Sequence, residues 1–173
     1  MNYDPRMLEI RTATEHDVPL ILDFIKALAE YERLADRVVA TEDSLRETLF
    51  GNPRFAEALI AEADGQPIGF ALFFHNYSTF LGRPGIYLED LFVKPEARGH
   101  GYGKALLARL AAIAKARNCG RMEWAVLNWN KPSIDFYESL AAIALDDWKV
   151  YRLIGEPLDK LAELSEQTPP SAR

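Results

Sequence analysis

Ile86-Tyr87-Leu88-Glu89-Asp90-Leu91-Phe92-Val93, then Arg98-Gly99-His100-Gly101-Tyr102-Gly103, then Lys104 to Arg117: these three consecutive segments decide the fold. The first is rich in apolar and aromatic residues and reads as a strand. In the third, Leu106, Leu107, Leu110, Ile113 and Ala114 recur on one helical face. Between them, three of six loop residues are glycine. Glycines let backbone N–H groups converge without Cβ obstruction, and the following helix adds unpaired amides and a positive dipole end. Such a loop holds an anion without a cationic side chain.

Spacing separates the known kinds of anion loop. A P-loop ending at Gly103-Lys104 requires glycine at 98, which is Arg, and Ser or Thr at 105, which is Ala. A dinucleotide fingerprint starting at Gly99 and Gly101 requires glycine or alanine at 104, which is Lys. The pattern present is RxxGxG, with Arg98, Gly101 and Gly103.

Upstream, Glu9 to Ala13 is short and extended, and Thr14 with Asp17 three residues on forms an N-cap signal for a helix from Val18 to Glu30. Its Leu20, Ile21, Phe24, Ile25 and Leu28 make the apolar stripe. Thr41 caps a second helix, Glu42 to Leu49. Ala56 to Ala63 and Pro67 to Tyr77 read as strands joined by Asp64-Gly65, a pair that tolerates the positive φ of tight hairpins. With the strand ending at Val93 they predict an antiparallel meander. Downstream come a strand at Met122 to Leu127, a short helix capped by Asn130, a last strand at Trp148 to Ile154 and a terminal helix at Glu156 to Leu164. The predicted order is βααβββαβαβ, an α/β (α+β) fold with a mixed, mainly antiparallel sheet flanked by helices. Residues 1–164 are expected to form a single domain, and 165–173, containing Thr168-Pro169-Pro170, a flexible tail.

The net charge of −6 argues against a broad grip on nucleic acid, which needs clustered cations. The start lacks a signal-peptide core, and no stretch approaches the roughly 20 apolar residues that span a bilayer. These features predict a soluble, cytoplasmic protein that binds neither nucleic acid nor membrane. Cys119 is the only cysteine, so no intramolecular disulfide forms. His16, His75 and His100 make no ligand cluster with it, and no metal is expected.

The RxxGxG loop between strand and helix, with Trp129-Asn130-Lys131-Pro132-Ser133-Ile134-Asp135-Phe136-Tyr137 downstream, resembles the GNAT superfamily of N-acetyltransferases. Adding Leu28-Ala29-Glu30-Tyr31-Glu32 and Tyr87-Leu88-Glu89-Asp90-Leu91-Phe92-Val93, the chain is similar to the diamine (spermidine/spermine) and thialysine N-acetyltransferases. The resemblance implies acetyl-CoA as acetyl donor, with the loop amides of Arg98, Gly99, His100, Gly101, Tyr102, Gly103 and Lys104 on its pyrophosphate. Leu91, Phe92 and Val93 would lie along the pantetheine arm as a neighbouring strand does, and Asn130, Pro132 and Ser133 would complete the cofactor contacts. It departs from the family in having Leu140-Ala141-Ala142 where glycine usually follows the tyrosine.

Acetyl transfer to an amine needs an unprotonated nitrogen, a polarised thioester carbonyl and a proton for the departing thiolate. The resemblance assigns Tyr137 as general acid and Glu89 as base or amine anchor. Strand alternation sends Asp90 to the opposite face from Glu89, so only one of the two is expected to serve. Tyr31, Glu32 and Asp147 take the positions that hold a cationic acceptor in the family, and a homodimer is implied. The expected activity is acetylation of a small cationic amine: a polyamine, diamine or lysine-like amino acid. Alternatives are acetylation of a protein or peptide, or a coenzyme A-binding sensor without catalysis.

Overall fold

A computed structural model describes residues 8–167. Of the tail expected at 165–173, residues 165–167 instead continue the last helix, and 168–173 lie outside the described residues. Residues up to Trp129 form one compact unit and those from Asn130 a second.

The first unit is built on a five-stranded sheet in sequence order: β1 (Leu8–Thr12), β2 (Glu57–Ala63), β3 (Gln66–Ser78), β4 (Arg83–Val93) and β5 (Met122–Trp124). The first four pair antiparallel and β5 joins β4 in parallel, so the sheet is mixed and mainly antiparallel, as expected. Asp64 (φ 52°) and Gly65 (φ 72°) both take the left-handed conformation in the β2–β3 hairpin, as the Asp-Gly signal requires.

Helices α1 (Val18–Tyr31) and α2 (Glu42–Phe50) follow β1. The chain enters α1 through a short 3-10 turn in which Asp17 accepts from the Thr14 amide (2.7 Å) and hydroxyl (2.9 Å) and forms a two-toothed pair with Arg11 at 2.7 and 2.8 Å. The Arg11 guanidinium holds the Asp17 carboxyl down at about 2. One side of the core joins Val18, Ile21, Phe24, Leu45 and Leu49 to Ala58, Ile60, Phe70, Leu72 and Phe92. Within it Phe24 and Phe70 stack at 5.3 Å. Full burial of a side chain of this size contributes about 2–3 kcal/mol.

Helix α3 (Tyr102–Ala116) packs on the same strands with Leu106, Leu107, Leu110 and Ala114 buried. The guanidinium of Arg117 at its end lies 5.9 Å over the Phe73 ring, which places Phe73 on the face opposite to Leu72 and Phe70.

The second unit contains α4 (Lys131–Ser139) and α5 (Glu156–Gln167). The turn after α4 closes without glycine. The Ala142 amide reaches the Tyr137 carbonyl (3.2 Å) and the Ala141 amide the Glu138 carbonyl (2.9 Å), with Ala141 itself left-handed at φ 63°. The strand expected at Trp148 to Ile154 is absent: this segment is irregular, and Val150 and Tyr151 are 87% and 89% exposed. Aromatic and β-branched residues favour an extended chain, but a strand exists only when a neighbour pairs with its N–H and C=O groups.

Candidate active site

The site begins where β4 changes its pairing. Across β3, Phe73 faces Leu88 and Leu72 faces Asp90, so Glu89 is the extra residue of a β-bulge. Before the bulge, the Ile86 amide donates toward β5, to the Arg121 carbonyl at 3.0 Å. After it, the Lys94 amide donates toward β3, to the Ile68 carbonyl at 2.8 Å. The even-numbered amides have therefore switched sides. By alternation from Lys94, the amides of Leu91 and Val93 point to the outer edge of β4. β5 pairs with β4 only from Ile86 to Leu88, and among the described residues no strand covers that edge from Glu89 onward. These are the two amides assigned to pantetheine.

The bulge also redirects side chains. Leu88, opposite Phe73, lies on the α3 face. Asp90, opposite Leu72, lies on the α1 face with Phe92 and Phe70. Regular alternation, which sets Asp90 opposite Glu89, is interrupted at Glu89, and the pairing puts Asp90 on the α1 face. The Asp90 carboxyl is pushed up to about 6, first by burial and then by the charges of Glu89 and Glu32. Three carboxylates thus gather within electrostatic reach of one another. Glu89 is exposed at the bulge, and burial raises the Glu32 carboxyl above the usual range.

Glu32 is delivered by the end of α1. There the Leu34 amide bonds the Ala29 carbonyl (2.8 Å) and the Arg33 amide the Glu30 carbonyl (3.1 Å), with Arg33 left-handed at φ 62°. The Arg33 guanidinium lies 5.4 Å over the ring of Trp129, which in turn meets Tyr31 at 6.0 Å.

From Val93 the chain passes through a 3-10 turn at Pro95–Ala97 into the glycine loop. Gly99 (φ 82°) and Gly101 (φ 84°) are left-handed, and a Cβ at either would point into open space. The α3 ladder starts with the Ala105 amide on the Gly101 carbonyl at 3.0 Å, so the first-turn amides of Gly103 and Lys104 lie outside it. Nδ1 of His100 sits 3.0 Å from the Arg98 carbonyl and 3.3 Å from that of Ala97, bracing the turn. Arg98 donates from Nε to the Val93 carbonyl at 2.9 Å, and its guanidinium lies 4.6 Å over the Tyr31 ring and 5.8 Å over Phe92. Glycine backbone that faces open space, with first-turn amides outside the helix ladder, fits a pyrophosphate.

In the second unit, Asn130 caps α4 by accepting from the Ser133 amide at 3.4 Å, with Pro132 in the first turn. Tyr137 lies on α4 with its ring 5.4 Å from that of Phe136. Asp147 is exposed in the irregular segment that follows α4.

The fold and this loop define an acetyltransferase of the GNAT type. Residues 23–142 match the acetyltransferase (GNAT) family, and the chain belongs to it. It is 42% identical over 164 residues to the thialysine N-epsilon-acetyltransferase of Bos taurus, covering 88% of this chain and 96% of that protein. It is 33% identical over 201 residues to an L-ornithine N5-acetyltransferase of Arabidopsis thaliana, covering 90% and 88%. Among solved structures, an integron cassette protein from the mobile metagenome of V. cholerae matches with a TM-score of 0.76 and 29% identity, over 91% of this chain and 98% of that one. The protein is an enzyme, an acetyltransferase, in a family whose members draw the acetyl group from acetyl-CoA.

The sequence reading weighs Asp90 only as an alternative to Glu89, and does not single out Arg33 or the ring of Trp129. Two adjacent carboxylates inside an otherwise apolar strand were the available signal, since a regular strand covered on both faces has no room for either.

Proposed function

We propose that the protein transfers the acetyl group of acetyl-CoA to a primary amine of a small cationic acceptor: a polyamine, a diamine or a lysine-like amino acid. The observation that carries this reading is the gathering of Glu32, Glu89 and Asp90 at the bulge of β4, next to the open edge that leads to the glycine loop. A buried carboxyl whose pKa is raised by desolvation first, and then by two neighbouring carboxylates, gains from an approaching cation. The relatives named for thialysine and L-ornithine support the same acceptor chemistry.

When bound, acetyl-CoA supplies the activated acyl group. The loop amides from Arg98 to Lys104 hold its pyrophosphate, and the outward amides of Leu91 and Val93 align the pantetheine arm, with Phe92 behind them. Asn130, Pro132 and Ser133 complete the coenzyme contacts. Glu89, the exposed carboxylate, anchors the amine or takes its proton, directly or through water. Glu32, Asp90, Tyr31 and Asp147 hold the remaining positive charge of the acceptor. Tyr137 donates the proton to the departing thiolate, the role its position in the GNAT-like segment implies. The same reading makes the protein a cytoplasmic homodimer.

The test is a panel of polyamines, diamines, lysine analogues and peptide N-termini incubated with acetyl-CoA, with thiol release followed. Turnover confined to the small cationic amines is expected; turnover on peptides alone overturns the acceptor. Tyr137→Phe separates an enzyme from a sensor. It is expected to lower kcat at least tenfold, about 1.4 kcal/mol in the barrier, with coenzyme affinity kept.

A further inference from the structure

The loop proposed to take the coenzyme and the helix end proposed to take the acceptor meet at Arg98 and Tyr31. Arg98 opens the loop and Tyr31 is the last residue of α1, immediately before Glu32. The guanidinium is 4.6 Å from the Tyr31 ring centroid, and the Tyr31 ring meets Trp129, on which Arg33 stacks from the other side of the acceptor turn. The ring of Tyr31 thus meets one arginine of the loop directly and the arginine of its own turn through Trp129.

Arg98 is exposed, so the surrounding packing does not fix its stack. What fixes it is the course of the loop backbone and the bond from Nε to the Val93 carbonyl. That backbone has two left-handed glycines, and each glycine adds conformational freedom that a bound pyrophosphate removes. Ordering the loop therefore orders Arg98, and Arg98 holds the ring beside Glu32.

We propose that Tyr31, besides facing the acceptor, couples the two substrate sites. Occupation of the loop by coenzyme keeps Arg98 stacked on Tyr31 and so presents Glu32 to the cationic acceptor. The proposal rests on the acetyltransferase reading above and adds an energetic link to it. Linkage requires that the acceptor tighten coenzyme binding by the factor with which coenzyme tightens the acceptor. A single partly exposed cation–π contact limits that factor to about two- to fivefold.

Calorimetric titration tests this with coenzyme A, which carries no acyl group to transfer, and with thialysine and spermidine as acceptors. Each is titrated alone and in the presence of the other. In the wild type and in Tyr31→Phe, coenzyme A is expected to raise acceptor affinity about two- to fivefold, with the same factor in the reverse titration. In Tyr31→Leu, which removes the ring, and in Arg98→Lys, which keeps the charge without the planar stack, the factor is expected to fall to about one. Rescue by phenylalanine shows that the ring face, not the hydroxyl, carries the coupling. An undiminished factor in both variants, or none in the wild type, overturns the proposal. Should Tyr31→Leu fail to fold, Arg98→Lys decides alone, because Arg98 is a surface residue. A wild type that binds no coenzyme A, or neither amine, overturns the acetyltransferase reading as well; one that turns over amines while binding both substrates independently overturns only the coupling.

Discussion

Leu88 and Asp90, two residues apart on β4, face opposite sides of the sheet. In a regular strand they would share a face. The bulged Glu89 between them reverses the parity of everything that follows, with two consequences for the site. The amides of Leu91 and Val93 turn to the open edge, and the Asp90 carboxyl turns under the end of α1, beside Glu32. A single extra residue thus prepares both the coenzyme edge and the acceptor charge.

The cost of that second placement is measurable as stability. Asp90 titrates near 6 in the folded chain against an ordinary 3.8. A raised carboxyl favours the folded state fully below the unfolded pKa and loses that contribution as pH rises through the folded one. Between pH 4 and 7.5 the wild type is expected to lose roughly 2 kcal/mol on this account. Asp90→Asn lacks that loss. Urea unfolding at pH 4.5, 6 and 7.5 should therefore show the variant gaining on the wild type as pH rises; parallel profiles would refute the buried placement.

The same group makes acceptor binding pH-dependent. Protonating Asp90 removes one of three negative charges, so the affinity for a dicationic amine, with coenzyme A bound, is expected to fall as pH drops through about 6. In Asp90→Asn the profile flattens there. At pH 6 binding should also release a fraction of a proton in the wild type, read by calorimetry in buffers of different ionisation enthalpy. No difference between the two proteins would remove Asp90 from the acceptor site.

Much of this was legible from the residues. The glycine loop, the meander, the Thr14–Asp17 entry to α1 and the Asp64-Gly65 hairpin all follow from local chemistry: φ preference, capping and alternation. The bulge was not, because pairing register is decided between strands and no residue of β4 announces it alone. The face on which Asp90 lies depends on that register. Trp148 to Ile154 failed for a related reason: its aromatic and β-branched residues suit a strand, but a strand is a property of two segments. The stack of Arg98 on Tyr31 joins positions far apart in sequence, and no periodicity connects them.

The turn after α4 offers a separate test of local physics. Ala141 holds a left-handed conformation that a Cβ makes unfavourable by about 1–2 kcal/mol. Ala141→Gly keeps both closing bonds, from Ala142 to Tyr137 and from residue 141 to Glu138, without that cost. After the extra backbone entropy of glycine is subtracted, a gain of roughly 0.5–1 kcal/mol is expected in chemical denaturation. A loss of stability would mean that the methyl group packs to more effect than the strain costs.

The glycine loop can be tested against a control within the same chain. Gly101 at φ 84° and Gly82 at φ 59° are both left-handed, and a Cβ at either meets nothing within 4 Å. Alanine at each should cost a similar 1–2 kcal/mol of stability through backbone strain alone. They differ in what the empty space is for. Gly82 lies in the β3–β4 turn, whereas the space before Gly101 is assigned to the pyrophosphate. Gly82→Ala is expected to leave coenzyme A affinity unchanged. Gly101→Ala should weaken it at least tenfold, because the methyl group occupies the place of a phosphate oxygen and tilts the amides that hold it. Equal stability losses with unequal affinities, measured on the two variants side by side, would separate a binding loop from a merely tight turn; equal affinities would leave the glycines as turn residues and move the coenzyme elsewhere.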